Sequence, residues 1–238
     1  MLLVLAATPG SVGVSEIARD LRLSKAVVHR ILQSLLDRGF IAVDEASGGS
    51  RLGLAAAMIG GRAMRDLDLR RVAMPVLRRL QAQTRETTTI SALIGDSRVY
   101  IDQVVSLQQI RMEVTLGQRF PLHAGSSSKA ILAVARPDLR EQVLTGELPR
   151  LTPRTIVDTE RLRAELDAIR REAVAVSRGE RQDGAGSVAA PVFGLDASVI
   201  GSISVCGPIT RFDDEATERF KPLVRTAAEE ISRGMGCP

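Results

Sequence analysis

Cysteine is scarce in this 238-residue chain, with Cys206 and Cys237 the only two. Two cysteines build no disulfide framework, and a reducing cytoplasm is the expected compartment. Histidine is equally sparse. His29 and His123 stand apart from any cysteine or carboxylate cluster at ligand spacing, so neither a metal nor another cofactor is expected. No apolar run approaches the roughly 20 residues that cross a bilayer, so no membrane partner is expected. The opening stretch, Met1 to Ala7, lacks a basic lead and runs into Thr8-Pro9-Gly10 rather than a small-residue cleavage site. It reads as a core helix and not a signal peptide. Because it starts uncapped inside an apolar run, further upstream residues are expected to complete it. No internal repeat or low-complexity tract is present.

Apolar residues make up 45% of the chain, ample for one large core or two smaller ones. Charge is unevenly spread. Through Leu80 there are 12 Lys or Arg against 7 Asp or Glu; from Gln81 onward there are 20 against 21. The basic excess therefore sits in the first third, where a phosphate-binding element would want it.

The stretch from Val14 to Leu36 predicts two short helices and a tight turn. Ser24 is placed to cap the second, its hydroxyl meeting an orphan amide. Val28, Ile31, Leu32, Leu35 and Leu36 recur at helical spacing as one buried face, and Ile17, Ala18 and Leu21 supply the packing side of the first helix. The opposite face carries Lys25, Ala26, His29, Arg30, Gln33 and Ser34. A basic helix about 10–12 Å across fits the major groove, with its N-terminal amides and cations meeting phosphate. Taken alone, the pattern equally describes two ordinary amphipathic helices with a solvated face.

The residues just beyond this helix favour the DNA-reading choice. Gly39 stops the helix, Phe40 to Val43 reads as a short strand, 44–50 as a polar turn, and Arg51 to Leu54 as a returning strand. Two short strands directly behind such a helix form a wing whose tip can lie along phosphates, with Arg51 behind it. Ser24 and Arg51 are expected mainly on phosphate, and Lys25, Ala26, His29, Arg30 and Gln33 on bases or phosphate.

Beyond the wing, residues 55–64 read as a linker helix made compliant by Gly60-Gly61. Leu69, Val72, Ala73, Val76, Leu77 and Leu80 mark a helix in which Pro75 should force a kink or restart. The period then changes. Residues 87–94 and 99–105 flank Gly95-Asp96-Ser97 as a hairpin, and 110–116 suggest a third strand. Helices are expected at 127–135, 137–144 and around Leu162, Leu166 and Ile169; strands at 186–192 and 198–205; and a final helix from Asp213 to Gly234. Hairpins imply an antiparallel sheet. The fold class is α+β: a winged helix-turn-helix over 1–54, a linker helix over 55–68 and a mixed domain over 69–238.

Several segments resemble the IclR family of bacterial transcription regulators, in order, across essentially the whole chain. They are Ile17-Ala18 through Arg30-Ile31-Leu32, Leu52-Gly53, Val72 to Leu77, Gly117 to Ala124, Lys129 to Ala133, Gly179-Glu180, Ser187 to Val192 and Ile203 to Pro208. The resemblance implies a winged helix-turn-helix joined to a GAF-like α/β effector domain. It also implies a homodimer or dimer of dimers that binds a double-stranded DNA operator as repressor or activator. A small organic effector, often a carboxylate, would modulate that binding. Two departures stand out. The family often enters its recognition helix with Pro-Lys-Ser-Thr chemistry, and here Ser24-Lys25-Ala26-Val27 lacks some of those hydroxyls. Ser128 replaces the glycine usual before Lys129.

His123 to Lys129 is a loop entering a helix, and orphan amides with serine hydroxyls there would cradle a carboxylate. By the resemblance, Ser126 and Ser127 occupy ligand-contact positions, and Ser177, Ala185 and Ser187 fall on further matching ones. Met112 and Phe120 would supply apolar wall. Ser204 and Cys206, two apart on one strand, share a face and could donate. With no arginine on these positions, neutral donors are expected to hold the ligand. The competing structural account is an ordinary loop, with Cys206 a small buried hydrophobe.

Two enzyme-like patterns are discounted. Ser126-Ser127-Ser128-Lys129 fits the S-x-x-K spacing of acyl-transfer enzymes, but neither partner motif is present downstream. Gly184-Ala185-Gly186-Ser187-Val188-Ala189 fits a dinucleotide pattern, yet it precedes a strand bearing Pro191 and not a helix. The chain is therefore expected to be a non-enzymatic regulator. The alternatives are a small-acid-binding or hydrolytic domain with an inert head, or a protein-interaction adaptor built on a winged helix.

Overall fold

A computed structural model describes residues 1–8, 10–59 and 68–238. The chain divides into two compact units, Met1–Leu67 and Asp68–Pro238. The expected compliance at Gly60-Gly61 lies outside the described residues.

In the first unit, α1 (Leu2–Ala7), α2 (Val14–Leu21) and α3 (Lys25–Asp37) precede a hairpin of β1 (Ile41–Val43) and β2 (Ser50–Leu52). Leu5, Val12, Ile17, Ala18, Val28, Leu32 and Ile41 form its core. The turn between α2 and α3 works because Arg22 takes the left-handed conformation (φ 54°), from which Leu23 N reaches Ala18 O at 2.9 Å. Ser24 then caps α3, accepting from Val27 N at 3.4 Å. Ile31, expected on the buried face, is instead 37% exposed, while Val28 and Leu32 carry the contact. The hairpin pairs Ile41 with Leu52, Ala42 with Arg51 and Val43 with Ser50, and a bridge from Val12 to Ser50 ties it to the chain before α2. Gly53 closes it where a Cβ would sit 2.4 Å from Gly39 O. Residues 54–59 are helical.

The second unit is built on one antiparallel sheet. Its strands are β3 (Thr87–Ile94), β4 (Ser97–Val104), β5 (Arg119–Pro121), β6 (Ala175–Arg178), β7 (Ala185–Phe193) and β8 (Val199–Pro208), in the order β5-β4-β3-β8-β7-β6. Around it lie α4 (Leu69–Thr84), α5 (Ser126–Ala133), α6 (Pro137–Thr145), α7 (Thr159–Glu172) and α8 (Asp214–Gly234). Strand alternation assigns the faces. Ala189 joins α5 and α7 in a core with Ile131, Leu162 and Leu166, whereas α4 and α8 pack together and against the other face. The sheet is therefore covered by helices on both sides. Asp68, Asp158 and Asp213 cap α4, α7 and α8 through their side chains.

One expectation is narrowed, one strand is new and one expected strand is absent. Of the kink or restart expected at Pro75, the restart is ruled out, because α4 is one continuous helix through it. The short strand β6 had no expected counterpart. Residues 110–116 form no strand; β5 lies just beyond, at Arg119–Pro121. The reason is two side chains that reach in from β3 and β4. The Gln103 side chain takes both backbone groups of Val114, donating to its O at 2.8 Å and accepting from its N at 2.9 Å. Thr87 Oγ1 likewise donates to Met112 O at 2.6 Å. Side chains satisfy this loop's backbone where strand partners would have done. Among the described residues, no helix is long and apolar enough to cross a membrane.

Candidate functional site

Two places in the molecule gather functional groups, one in each unit. Ser24, which caps α3, and Lys25, Ala26, His29, Arg30 and Gln33 on it are all exposed, and Arg51 is exposed on β2. The Ser24 cap satisfies one early amide of α3, leaving others of its first turn open to an anion. Gln33 Nε2 donates to Asp37 Oδ1 at 2.9 Å, an exposed bond that leaves its amide oxygen and second N–H open. At the wing tip, Asp44 Oδ1 accepts from Ser47 N at 2.9 Å and from Ser47 Oγ at 2.7 Å, which holds its carboxyl below the usual range.

In the second unit a cavity of ≈ 30 Å³ lies against the sheet. Register builds its floor. Ser177 of β6 faces Ser187 of β7, which faces Cys206 of β8, which faces Thr87 of β3, so four strands contribute one polar row. Ser204 sits in the next row on the same face, its hydroxyl 2.8 Å from Thr89 Oγ1. The wall is the start of α5, a helix with every residue buried. Gly125 enters it at φ 86° with its N donating to Glu180 Oε2 at 3.2 Å, and Ser126 Oγ donates to Ser187 Oγ at 2.7 Å. Met112 and Val114, on the loop pinned by Thr87 and Gln103, close one side.

Of the expected effector residues, Met112, Ser126, Ser127, Ser177, Ala185, Ser187, Ser204 and Cys206 all line this cavity. Phe120 does not. It pairs opposite Arg98 across β4 and β5, and its ring packs edge-on to Tyr100 with centroids 5.4 Å apart. Burial pushes the Cys206 thiol up to about 12, so it is a neutral donor and no nucleophile.

The expectation of neutral donors alone is corrected. Arg98 and Arg181 both line the cavity, with Tyr100 beside them. Arg98 is 1% exposed, donates from Nε to Ser128 Oγ at 3.0 Å and from Nη1 to Ser91 Oγ at 2.9 Å, and lies 4.1 Å from the Tyr100 ring centre. Burial holds its guanidinium below the ordinary arginine value, and Arg181 nearby adds to this. The one signal in the sequence was a lone cation at the start of the β-branched run of β4.

Lys129 is spoken for. It is fully buried and bound to Glu165 and to Glu180, the latter at 2.6 Å. Neither it nor Ser126, whose proton goes to Ser187, is arranged as a base and nucleophile pair. His123 is a structural residue: its Nε2 lies 2.9 Å from Pro149 O, and burial lowers its pKa. Gly184 to Ala189 leads into β7 with no helix to receive a phosphate.

The family model for the IclR helix-turn-helix domain matches residues 1–45, and that for the bacterial transcriptional regulator IclR C-terminal region matches 61–233. The chain belongs to the IclR family. The HTH-type transcriptional regulator KdgR of Escherichia coli is 34% identical over 94% of this chain and 86% of its own length. Among solved structures, a Silicibacter protein described as an IclR transcriptional regulator superposes with a TM-score of 0.84 at 27% identity, covering 100% of this chain and 96% of that one. An IclR homologue from Microbacterium hydrocarbonoxydans, solved with 4-hydroxybenzoate, gives a TM-score of 0.64 at 27% identity, covering 98% and 95%. This IclR-type protein is therefore a DNA-binding transcriptional regulator with a helix-turn-helix head and a C-terminal effector-binding domain.

Proposed function

We propose that this regulator binds its operator through α3 and the wing, under control of a small organic acid held in the cavity of the second unit. Lys25, Ala26, His29, Arg30 and Gln33 meet bases or phosphate, and Ser24 and Arg51 hold phosphate. The head is taken as 1–54, the linker as 55–68 and the effector domain as 69–238. It works in the cytoplasm as a homodimer or dimer of dimers, so that two heads address a pseudo-palindrome. It turns over no substrate.

The observation that carries the effector reading is the convergence of serines from α5, β6, β7 and β8 with a buried arginine on one cavity. Hydroxyls and guanidinium groups in a dry site are what an acid's oxygens require. The relative solved with 4-hydroxybenzoate supports a carboxylate of some kind. The engagement of Lys129 by two carboxylates supports a binding role over a hydrolytic one.

A screen of short carboxylates for thermal stabilisation, followed by calorimetry, tests this. The expected result is one or more stabilising acids whose affinity falls in Ser126→Ala and Ser204→Ala. Indifference to both substitutions would overturn the assignment of the cavity. Light scattering on the eluting protein checks the assembly, with a monomer as the contrary result.

A further inference from the structure

Acidic residues around the cavity are already committed elsewhere. Glu180 binds Lys129 and the Gly125 amide, and Glu86 pairs with Arg211. Among the described residues, neither Arg98 nor Arg181 has a carboxylate partner. The hydrogen bonds of the Arg98 guanidinium go to the neutral hydroxyls of Ser91 and Ser128. Both guanidinium groups lie against one aromatic pair. Arg98 is 4.1 Å from the Tyr100 centroid and 4.8 Å from that of Phe120; Arg181 is 5.9 Å and 4.8 Å from the same two rings. Ring faces ease a cation's burial without neutralising it. The site thus sets two like charges against one pair of rings, Arg98 fully buried and Arg181 partly so, and each disfavours the other. One carboxylate offsets one of them. Two offset both.

We propose that the effector of this chain is a short dianion, with one carboxylate on Arg98 and the other on Arg181. The proposal deepens the effector reading above and rests on it. The hydroxyls of Ser126, Ser187 and Ser204 serve the remaining oxygens. A cavity of ≈ 30 Å³ has room for only about two or three water-sized groups, so even a dicarboxylate of two to four carbons enters only as a lining side chain moves aside. Arg181 sits on the loop after β6 and is only partly buried, so it is the arginine free to shift as the acid enters, while Arg98 stays fixed by its two serines.

Calorimetry on the full chain at fixed ionic strength, with malonate against propionate and succinate against butyrate, tests it. The native protein should bind at least one dicarboxylate about tenfold or more tighter than the monocarboxylate of equal length. Arg181→Gln should bring the pair within about twofold while propionate binding persists, and Arg181→Lys should restore the preference. Because Arg181 is partly exposed, these variants are expected to fold; circular dichroism checks that. Equal affinity for both classes in the native protein overturns the dianion and leaves the effector reading standing. Binding of none of the four acids also overturns it. Dicarboxylate binding left unchanged by Ser126→Ala with Ser187→Ala would lie outside the cavity and overturn both.

Discussion

In the head, every residue assigned to DNA lies exposed on α3, at its cap or on β2, whereas in the second unit most of the polar groups around the cavity are buried between a helix and a sheet. The head's core is small, seven buried apolar residues among those described, and the groups on its recognition face meet water or make loose local contacts. The second unit encloses Arg98 and Lys129 completely and ties the latter to two carboxylates. The difference comes from what each must recognise. A duplex is a large, hydrated polyanion met from outside, so exposed cations serve it and salt weakens them. A small acid is recognised by surrounding it, and a buried charge then becomes worth its desolvation.

That contrast can be broken most forcefully at Lys129. Replacing it with methionine strands Glu165 and Glu180 beside an apolar stem, and loss of one partner from a buried pair costs about 3–5 kcal/mol. Chemical denaturation should show the second unit's transition moving to much lower denaturant, with the head's little changed. Next comes Arg30→Ala, expected to weaken operator binding by about 1–3 kcal/mol if Arg30 reads a base, measured by anisotropy on a labelled duplex. Lys25→Ala should instead lower the slope of log affinity against log salt by about one unit, marking a single phosphate contact. If neither variant moves DNA binding, the exposed face of α3 is ordinary solvated surface.

Smaller effects sharpen the comparison. Burial lowers the His123 pKa from its ordinary 6.5, so the unfolded chain binds the proton more readily than the folded one. Its contribution is therefore complete above about pH 6.5 and fades as pH falls through the lowered value. Melting temperatures between pH 8 and pH 5 should fall more steeply in the native chain than in His123→Gln; parallel curves would remove His123 from the account. Smallest is Ser24→Ala. Its cap bond is long, 3.4 Å, and exposed, so a loss near 0.5 kcal/mol in the head is expected by denaturant titration.

Much of this organisation was legible in the residue order. Ser24 announces α3, Gly95-Asp96 closes the β3–β4 hairpin with Ile94 facing Ser97, and Asp213 opens α8. Those signals are local, carried by caps, turns and periodicity. What escaped is nonlocal. Residues 110–116 have a strand-like composition, but whether they pair depends on Gln103 and Thr87 reaching across from other strands. Arg98 is a lone cation between the Gly95-Asp96-Ser97 turn and a β-branched run, and only the register sets it opposite Phe120 and under α5. Arg181 stands directly after Gly179-Glu180, yet nothing in its neighbours tells that its loop folds over the cavity. Ile31 fits the periodic stripe and is exposed all the same, because a head this small buries only Val28 and Leu32 of α3.

The most direct measurement is an anisotropy titration of the full chain against duplexes from the DNA flanking its own gene, run over a salt series with and without saturating malonate. Affinity should fall steeply with salt, and malonate should shift the apparent Kd about fivefold or more in either direction, as expected for a linked effector site. Binding that ignores both salt and malonate would contradict the view that an exposed basic helix reads DNA under the control of a buried anion site.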